Sequence, residues 1–203
     1  MAASTTAERG REVRRRLLAA AVELIPERGW TAVSTRVLAE RAGVASGVVH
    51  YHFASVQALL SEAALEAMRG LIDQIGLALR HSRTPGGALE VMVGFLFDYD
   101  GRDATSLLFA ETYLAATRDG DLRASLSQII DQFRHMLADL LATQHVPAPE
   151  ATAAVLAAAV DGIMLHRGLG PGLDASDVTP VLHRLLAPAE HARPRTRKAG
   201  ETP

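Results

Sequence analysis

Apolar residues recur along most of this chain at three- and four-residue intervals, the spacing of a helix that buries one face. Between Arg9 and Arg28 they fall at Val13, Leu17, Ala20, Ala21, Leu24 and Ile25, and Gly29 follows as a stop. Pro26 stands near the last turn and predicts a kinked end. Residues 1–8, ahead of this pattern, read as disordered. Ser55 caps a long helix over 55–82, with Leu59, Ala63, Leu71, Ile75 and Leu79 including an inward stripe. Thr84-Pro85-Gly86-Gly87 breaks it. Further helices are predicted at 87–99, 104–118, 121–145, 149–168 and 176–187, punctuated by Asp100-Gly101, Asp119-Gly120, Pro147, Pro149 and the glycine-rich stretch 168–172. No segment alternates with period two and no internal repeat is visible. The pattern predicts an all-α fold.

The run from Ser34 to Phe53, STRVLAERAGVASGVVHYHF, departs from ordinary core helices. Ser34 is placed to cap a short helix, with Val33 and Leu38 as a hydrophobic staple. Val37, Leu38 and Arg41 give that helix an apolar and a polar side. Ala42-Gly43-Val44 turns the chain, Gly43 being free to adopt positive φ. A second helix from Ala45 then carries Ser46, Gly47, Val48, His50 and Tyr51, small and polar where a core helix would be large and apolar. Two helices about a short glycine-containing turn form a helix-turn-helix, whose second helix enters the DNA major groove.

Gly29, Thr35-Arg36, Leu38-Ala39, Ala42-Gly43-Val44, Gly47, Tyr51-His52-Phe53, Ser55 and Leu59-Leu60 stand in an order and spacing that resembles the DNA-binding segment of the TetR family of bacterial transcriptional regulators. The sharp motif spans residues 29–60; the rest of the chain matches by length and helical character. The resemblance implies an N-terminal three-helix helix-turn-helix domain, 9–54, and a larger helical ligand-binding and dimerisation domain, 55–188. A polar, proline-containing tail, 189–203, reads as disordered. The implied protein is a homodimer joined through its last two helices. It represses transcription from a palindromic double-stranded DNA operator and is released by a small-molecule effector.

Composition sharpens this picture in two places. Low aromatic content with abundant Ala and Leu favours closely packed helices over a β-sandwich. The absence of cysteine excludes disulfides and thiolate metal sites and suits a reducing cytoplasm, the expected location being at the nucleoid. The basic N-terminus is not followed by the apolar segment of a signal peptide. No apolar run approaches the roughly 20 residues that span a bilayer, so no membrane partner is expected. Charge is divided unevenly. Residues 1–60 hold eight arginines against five glutamates, whereas residues 61–188 hold nine arginines against sixteen carboxylates. A basic head on an acidic body turns the head toward phosphate.

Candidate DNA-contacting residues are Ser34, Thr35, Arg36, Ser46, Gly47, Val48, His50, Tyr51 and His52. Arg36 can reach a phosphate or pair with guanine. Ser34 and Thr35 are hydroxyl donors for phosphate or simple caps, and Ser46 and Gly47 allow close backbone approach. Val48 either meets a thymine methyl or packs inward. Tyr51 and His52 resemble the family's phosphate-contacting aromatic–histidine pair, and His50 stands where many members carry tyrosine. His50 and His52, two apart on a helix, point to different faces and do not make a metal site. Phe53 is assigned to the core. Val56 occupies a position where many members carry a phosphate-binding lysine, so a shallow salt dependence of DNA binding is expected.

The resemblance also implies a ligand cavity, with Met92, Phe95, Phe109, Tyr113, Phe133 and Met136 as candidate lining residues and Glu111 and His135 as polar anchors. A small apolar effector is expected there. No cofactor or metal is expected. The chain has no cysteine nucleophile, G-x-S-x-G, P-loop, G-x-G-x-x-G or Glu-x-x-His pair, which argues against an enzyme. The alternative reading is a helical ligand-binding or scaffold protein of the same fold with lost or weak DNA binding.

Overall fold

The computed structural model describes residues 6–170 and 172–186. The disorder expected for residues 1–8 is corrected at 6–8, which open the first helix, while residues 1–5 and the tail 189–203 fall outside that range. The described residues form nine α-helices and no strand. They are α1 Thr6–Arg28, α2 Thr35–Ala42, α3 Ser46–His52, α4 Val56–Leu79, α5 Pro85–Phe97, α6 Ala104–Ala116, α7 Gly120–Thr143, α8 Pro149–Leu169 and α9 Ala175–Leu186. A 3-10 turn, Trp30–Ala32, links α1 to α2 and had no counterpart in the periodicity. α1 begins at Thr6, earlier than the apolar pattern suggests, and runs through Pro26 to Arg28.

The helix starts are fixed by side chains that satisfy the free N–H groups of a first turn. Ser34 Oγ accepts from Val37 N at 3.4 Å, Ser55 Oγ from Ala58 N at 3.0 Å, and Thr84 Oγ1 from Gly87 N at 3.0 Å. Asp103 caps α6 through Ser106 N, and Asp119 caps α7 through Leu122 N, each at 3.0 Å. At the end of α2, Gly43 adopts φ 63° and Val44 N returns to Ala39 O at 2.9 Å. That left-handed residue turns α2 into α3.

The interior consists of two apolar clusters. One gathers Leu17, Leu24 and Ile25 of α1, Leu38 of α2, Val49 of α3, and Leu59, Leu60 and Met68 of α4. It continues without a break into Leu108 of α6 and Leu122, Leu126 and Ile129 of α7. The second joins Leu79, Leu89, Met92, Leu137, Leu141, Leu156, Val178 and Leu182 across α4, α5, α7, α8 and α9. The small N-terminal head is therefore seated directly on α6, and α4 runs through both clusters.

A further sequence expectation is corrected. α8 is 21 residues long, and an 18-residue stretch of it is long and apolar enough to cross a membrane by length and composition alone. An unbroken apolar run is interrupted by Asp161, yet a window average tolerates one acidic residue among alanines. α8 packs along α7, but only 17% of its apolar window is buried within this chain.

Candidate functional site

The head offers one exposed face built by α2 and α3. Val49 is buried and Phe53, just past the helix, is buried with it; together they anchor α3 to the core. One helical turn fixed in this way leaves Ser46, Gly47 and His50 exposed, and Tyr51 is 84% exposed. Val48 is half-buried and outside the apolar cluster, so Val49 is the inward valine. Tyr51 and His52 stand edge to face with ring centroids 5.1 Å apart. His52 leans on α1, its Cε1 3.9 Å from where a Cβ on Gly10 would stand. Ser34 and Arg36 are exposed beside them and Thr35 is half-buried. Arg36 makes no hydrogen bond or ion pair with the described residues. The structure thus brings the nine candidate DNA-contacting residues onto α2, α3 and the residue before α2, around one surface.

Several arginines counted toward the basic head are occupied within the fold. Arg41 reaches from α2 to α1, where it pairs with Glu23 at 2.9 Å and Glu27 at 2.6 Å. The hydrogen bonds from Arg41 hold Glu27 below the usual carboxylate range. Arg14 pairs with Glu62 of α4, and its guanidinium lies 4.8 Å above the centre of the Phe53 ring. Arg16 donates to the carbonyls of Ala42 and Gly43, closing the end of α2. Arg15 pairs with Glu12 at 2.7 Å. The Arg16 and Arg41 contacts join α1 to α2, the Arg14 pair joins α1 to α4, and the Arg15 pair lies on the exposed surface of α1 itself. Val56 packs half-buried against the head cluster, and no cation opens α4.

A second feature lies in the body. A cavity of about 100 Å³ opens between α4, α5, α6, α7 and α8. Five of the candidate lining residues, Met92, Phe95, Phe109, Tyr113 and Phe133, border it together with Met68, Leu71, Ile72, Ile75, Tyr99 and Met164. Its polar element is Asp161 of α8, whose Oδ2 accepts from the Tyr113 hydroxyl at 2.9 Å. Burial pushes the Asp161 carboxyl up, against the opposing pull of the Tyr113 hydrogen bond and the Arg134 charge. Burial also pushes the Tyr113 phenol up, with the Asp161 charge adding to it. Sequence reasoning did not single out Asp161. The available signal was one acidic residue in the apolar middle of α8, a group costly to bury without a use.

Three of the residues associated with a cavity lie elsewhere. Glu111 sits on the other side of α6, where its carboxylate accepts from Trp30 N at 2.7 Å. Residues 109 and 113 share a face one turn apart, whereas residue 111 is turned about 200° from 109. Met136 faces Gly76 of α4 in an outward groove, and His135 is exposed beside it, its Nδ1 2.6 Å from Asp131 O. Among the described residues, no group of three histidine or acidic side chains could hold a metal ion.

Comparison with known proteins covers both parts of this arrangement. The family model described as "Bacterial regulatory proteins, tetR family" matches residues 17–63, and that described as "Tetracyclin repressor-like, C-terminal domain" matches residues 83–188. The HTH-type transcriptional regulator Rv2912c of Mycobacterium tuberculosis is 27% identical over 193 residues, covering 91% of this chain and 97% of the relative. The structure of SCO7518 from Streptomyces coelicolor A3(2) superposes with a TM-score of 0.75 at 27% identity, covering 87% of this chain and 99% of that one. The multidrug binding protein EbrR, solved with malachite green, gives a TM-score of 0.65 at 27% identity, covering 86% and 98% of the two chains. With a reading head and a body each matched in order, the chain belongs to the TetR family as a DNA-binding transcriptional regulator and not an enzyme.

Proposed function

We propose that this regulator is a repressor that binds a palindromic operator as a homodimer and is released when a small molecule fills the cavity between α4 and α8. The observation that carries the DNA-binding part is the division of α3. Val49 and Phe53 hold it down while Ser46, Gly47, His50 and Tyr51 are turned to solvent. Such a helix covers only a few base pairs, so useful specificity calls for two heads on two half-sites.

Support for the dimer comes from the last two helices. Val155, Leu165, Leu169, Val181 and Leu185, with Leu173 between the helices, are between 42% and 85% exposed in the single chain. Exposed large apolar side chains gathered on the last two helices in this way fit an isologous two-fold contact. The effector part is supported by the apolar cavity and by its position. Phe109 and Tyr113 line it from α6, and the same helix holds Trp30 of the head through Glu111. An occupant that favours one arrangement of α6 over another changes the spacing of two paired heads.

The test is fluorescence anisotropy on operator DNA obtained by binding-site selection from random duplexes. Arg36→Ala is expected to weaken binding by about 1–3 kcal/mol, a factor of roughly 5 to 150. Because Arg14, Arg16 and Arg41 are engaged between helices and no cation opens α4, the logarithmic salt slope of the dimer is expected to be well short of −10, at about −0.9 per phosphate contacted. A slope near −10 would contradict the contact surface described above. Absence of duplex binding even at low ionic strength would favour a ligand-binding or scaffold role, the reading that Val56 at the start of α4 supports.

A further inference from the structure

The cavity is unusual for this chain in what it concentrates. Three of the five phenylalanines, two of the three tyrosines and three of the five methionines line it, in a protein with only 4% aromatic residues. One carboxylate, Asp161, is set among them. Its only hydrogen bond among the described residues is the one from the Tyr113 hydroxyl to Oδ2. Arg134 contributes attraction through its charge, but its guanidinium turns to Asp131 at 3.7 Å and gives no hydrogen bond to Asp161. Desolvation of that carboxylate is therefore incompletely offset inside the chain, which the upward push on its proton affinity records.

An occupant can offset it, and the lining decides which kind. A neutral apolar molecule would remove the remaining water and leave the carboxylate worse off. An organic anion would be repelled by it. A divalent metal would find no second acidic or histidine ligand in the lining. Aromatic faces attract positive charge, and methionine side chains adapt to the shape of a bulky apolar body. We propose that this cavity takes a small organic monocation, its positive centre against Asp161 and its hydrocarbon body among the aromatic and methionine side chains. This rests on the reading of the cavity as the effector site and names the class of molecule that site accepts.

The test uses the full chain and three probes of similar size. Phenyltrimethylammonium carries the charge, tert-butylbenzene is its neutral isostere, and benzenesulfonate is an anion. Calorimetric titration is expected to give phenyltrimethylammonium at least a tenfold advantage over tert-butylbenzene and no binding of the sulfonate. Asp161→Asn, which keeps the shape and an acceptor for Tyr113, is expected to reduce that advantage below threefold, with tert-butylbenzene binding as tightly as in the parent or more tightly because the desolvated charge is gone. Equal binding of cation and isostere in the wild-type chain, binding of the sulfonate, or an undiminished advantage in the variant would overturn the assignment. The wild-type comparison needs no variant to fold. Operator affinity measured with each probe separates the two readings. A cation that binds through Asp161 without altering operator affinity sustains the ligand class and defeats the effector role. Release of operator by cation and isostere alike sustains the effector role and defeats the ligand class.

Discussion

Gly101 shows how tightly single residues constrain the body. It sits between α5 and α6 at φ 82°, and a Cβ there would stand 2.8 Å from Met164 O, closer still to Gly168 N. Neither neighbour is a movable side-chain end, since both belong to the α8 backbone. Gly101→Ala is expected to destabilise the protein by about 2–4 kcal/mol, combining the left-handed backbone cost with the overlap. Gly94 of α5 has nothing within 4 Å of its Cβ position, so Gly94→Ala is expected to stabilise by about 0.5–1 kcal/mol. Urea titration measures both, with the denaturant slope unchanged. The charges of the head illustrate what a sequence shows and withholds. The sign of Arg14, Arg16 and Arg41 was plain from the chain, but their destinations depend on helices 14 to 48 positions away being brought alongside. Asp161 is the converse case: visible, but without a partner until α6 places Tyr113 against it. Its carboxyl is raised in the folded protein. The native state therefore holds the proton to higher pH than the unfolded chain does, and stability falls as pH rises through the raised value. Asp161→Asn removes that loss. The variant is expected to be more thermostable than the parent at neutral pH, with the gap closing as the pH is lowered below the ordinary carboxylate range. A melting temperature that falls equally at every pH would refute this.

Among the helices, the elements with capping residues were the legible ones. Ser34 and Ser55 announce starts that the backbone then uses, whereas Thr84-Pro85 reads as a break and in the structure opens α5, and Asp103 and Asp119 cap α6 and α7 within stretches that read only as turns. Ends were read two or three residues long for α4, α5, α6 and α7, where no glycine or proline directly follows the last helical residue. The 3-10 turn at Trp30–Ala32 left no periodic signal because three residues are too few to show one. α6 was the hardest to orient. Leu107, Leu108, Phe109, Ala110 and Leu114 are apolar on nearly every side, so only the packing reveals that Phe109 and Tyr113 face the cavity while Glu111 faces the head. There Glu111 takes the Trp30 N–H, and Gln57 of α4 takes the Trp30 indole N–H at 2.7 Å. Glu111→Ala leaves a half-buried backbone donor without a partner and is expected to cost about 1–3 kcal/mol. For a chain of this length that is a fall in melting temperature of about 2–4 °C per kcal/mol, measurable by calorimetry. Glu111→Gln keeps an oxygen in place and is expected to recover most of it; a variant as unstable as the alanine would show that the charge matters more than the hydrogen bond.

At the scale of the molecule, the decisive question is why α8 and α9 leave so much apolar surface uncovered. The head, residues 6–53, closes without such a remainder: among its described residues Tyr51 is the one large apolar side chain left exposed, and it lies on the surface proposed to meet DNA. In α8, Ala153, Leu156 and Ala157 turn inward to α7 while Val155, Leu165 and Leu169 turn out, and in α9 Val178 and Leu182 turn inward while Val181 and Leu185 turn out. Both helices thus have two apolar sides, and the structure of one chain uses only one of them. The same two-sided apolar character lets α8 satisfy a membrane criterion by composition, and in the proposed dimer a second copy would cover the residues that would otherwise face lipid. A membrane and a partner make opposite predictions for a charge placed there. Leu165→Glu in a dimer seam buries two like charges across a two-fold axis, one from each copy, and leaves the interior of each chain untouched. Sedimentation is expected to show the parent as a dimer and the variant as a monomer, with the same helical circular dichroism. Since two half-sites are then engaged by separate molecules, operator affinity is expected to fall by at least the roughly 10²-fold that linkage of two binding heads supplies. A variant that remains dimeric, or a monomer that grips the operator as tightly as the parent, would remove α8 from the interface.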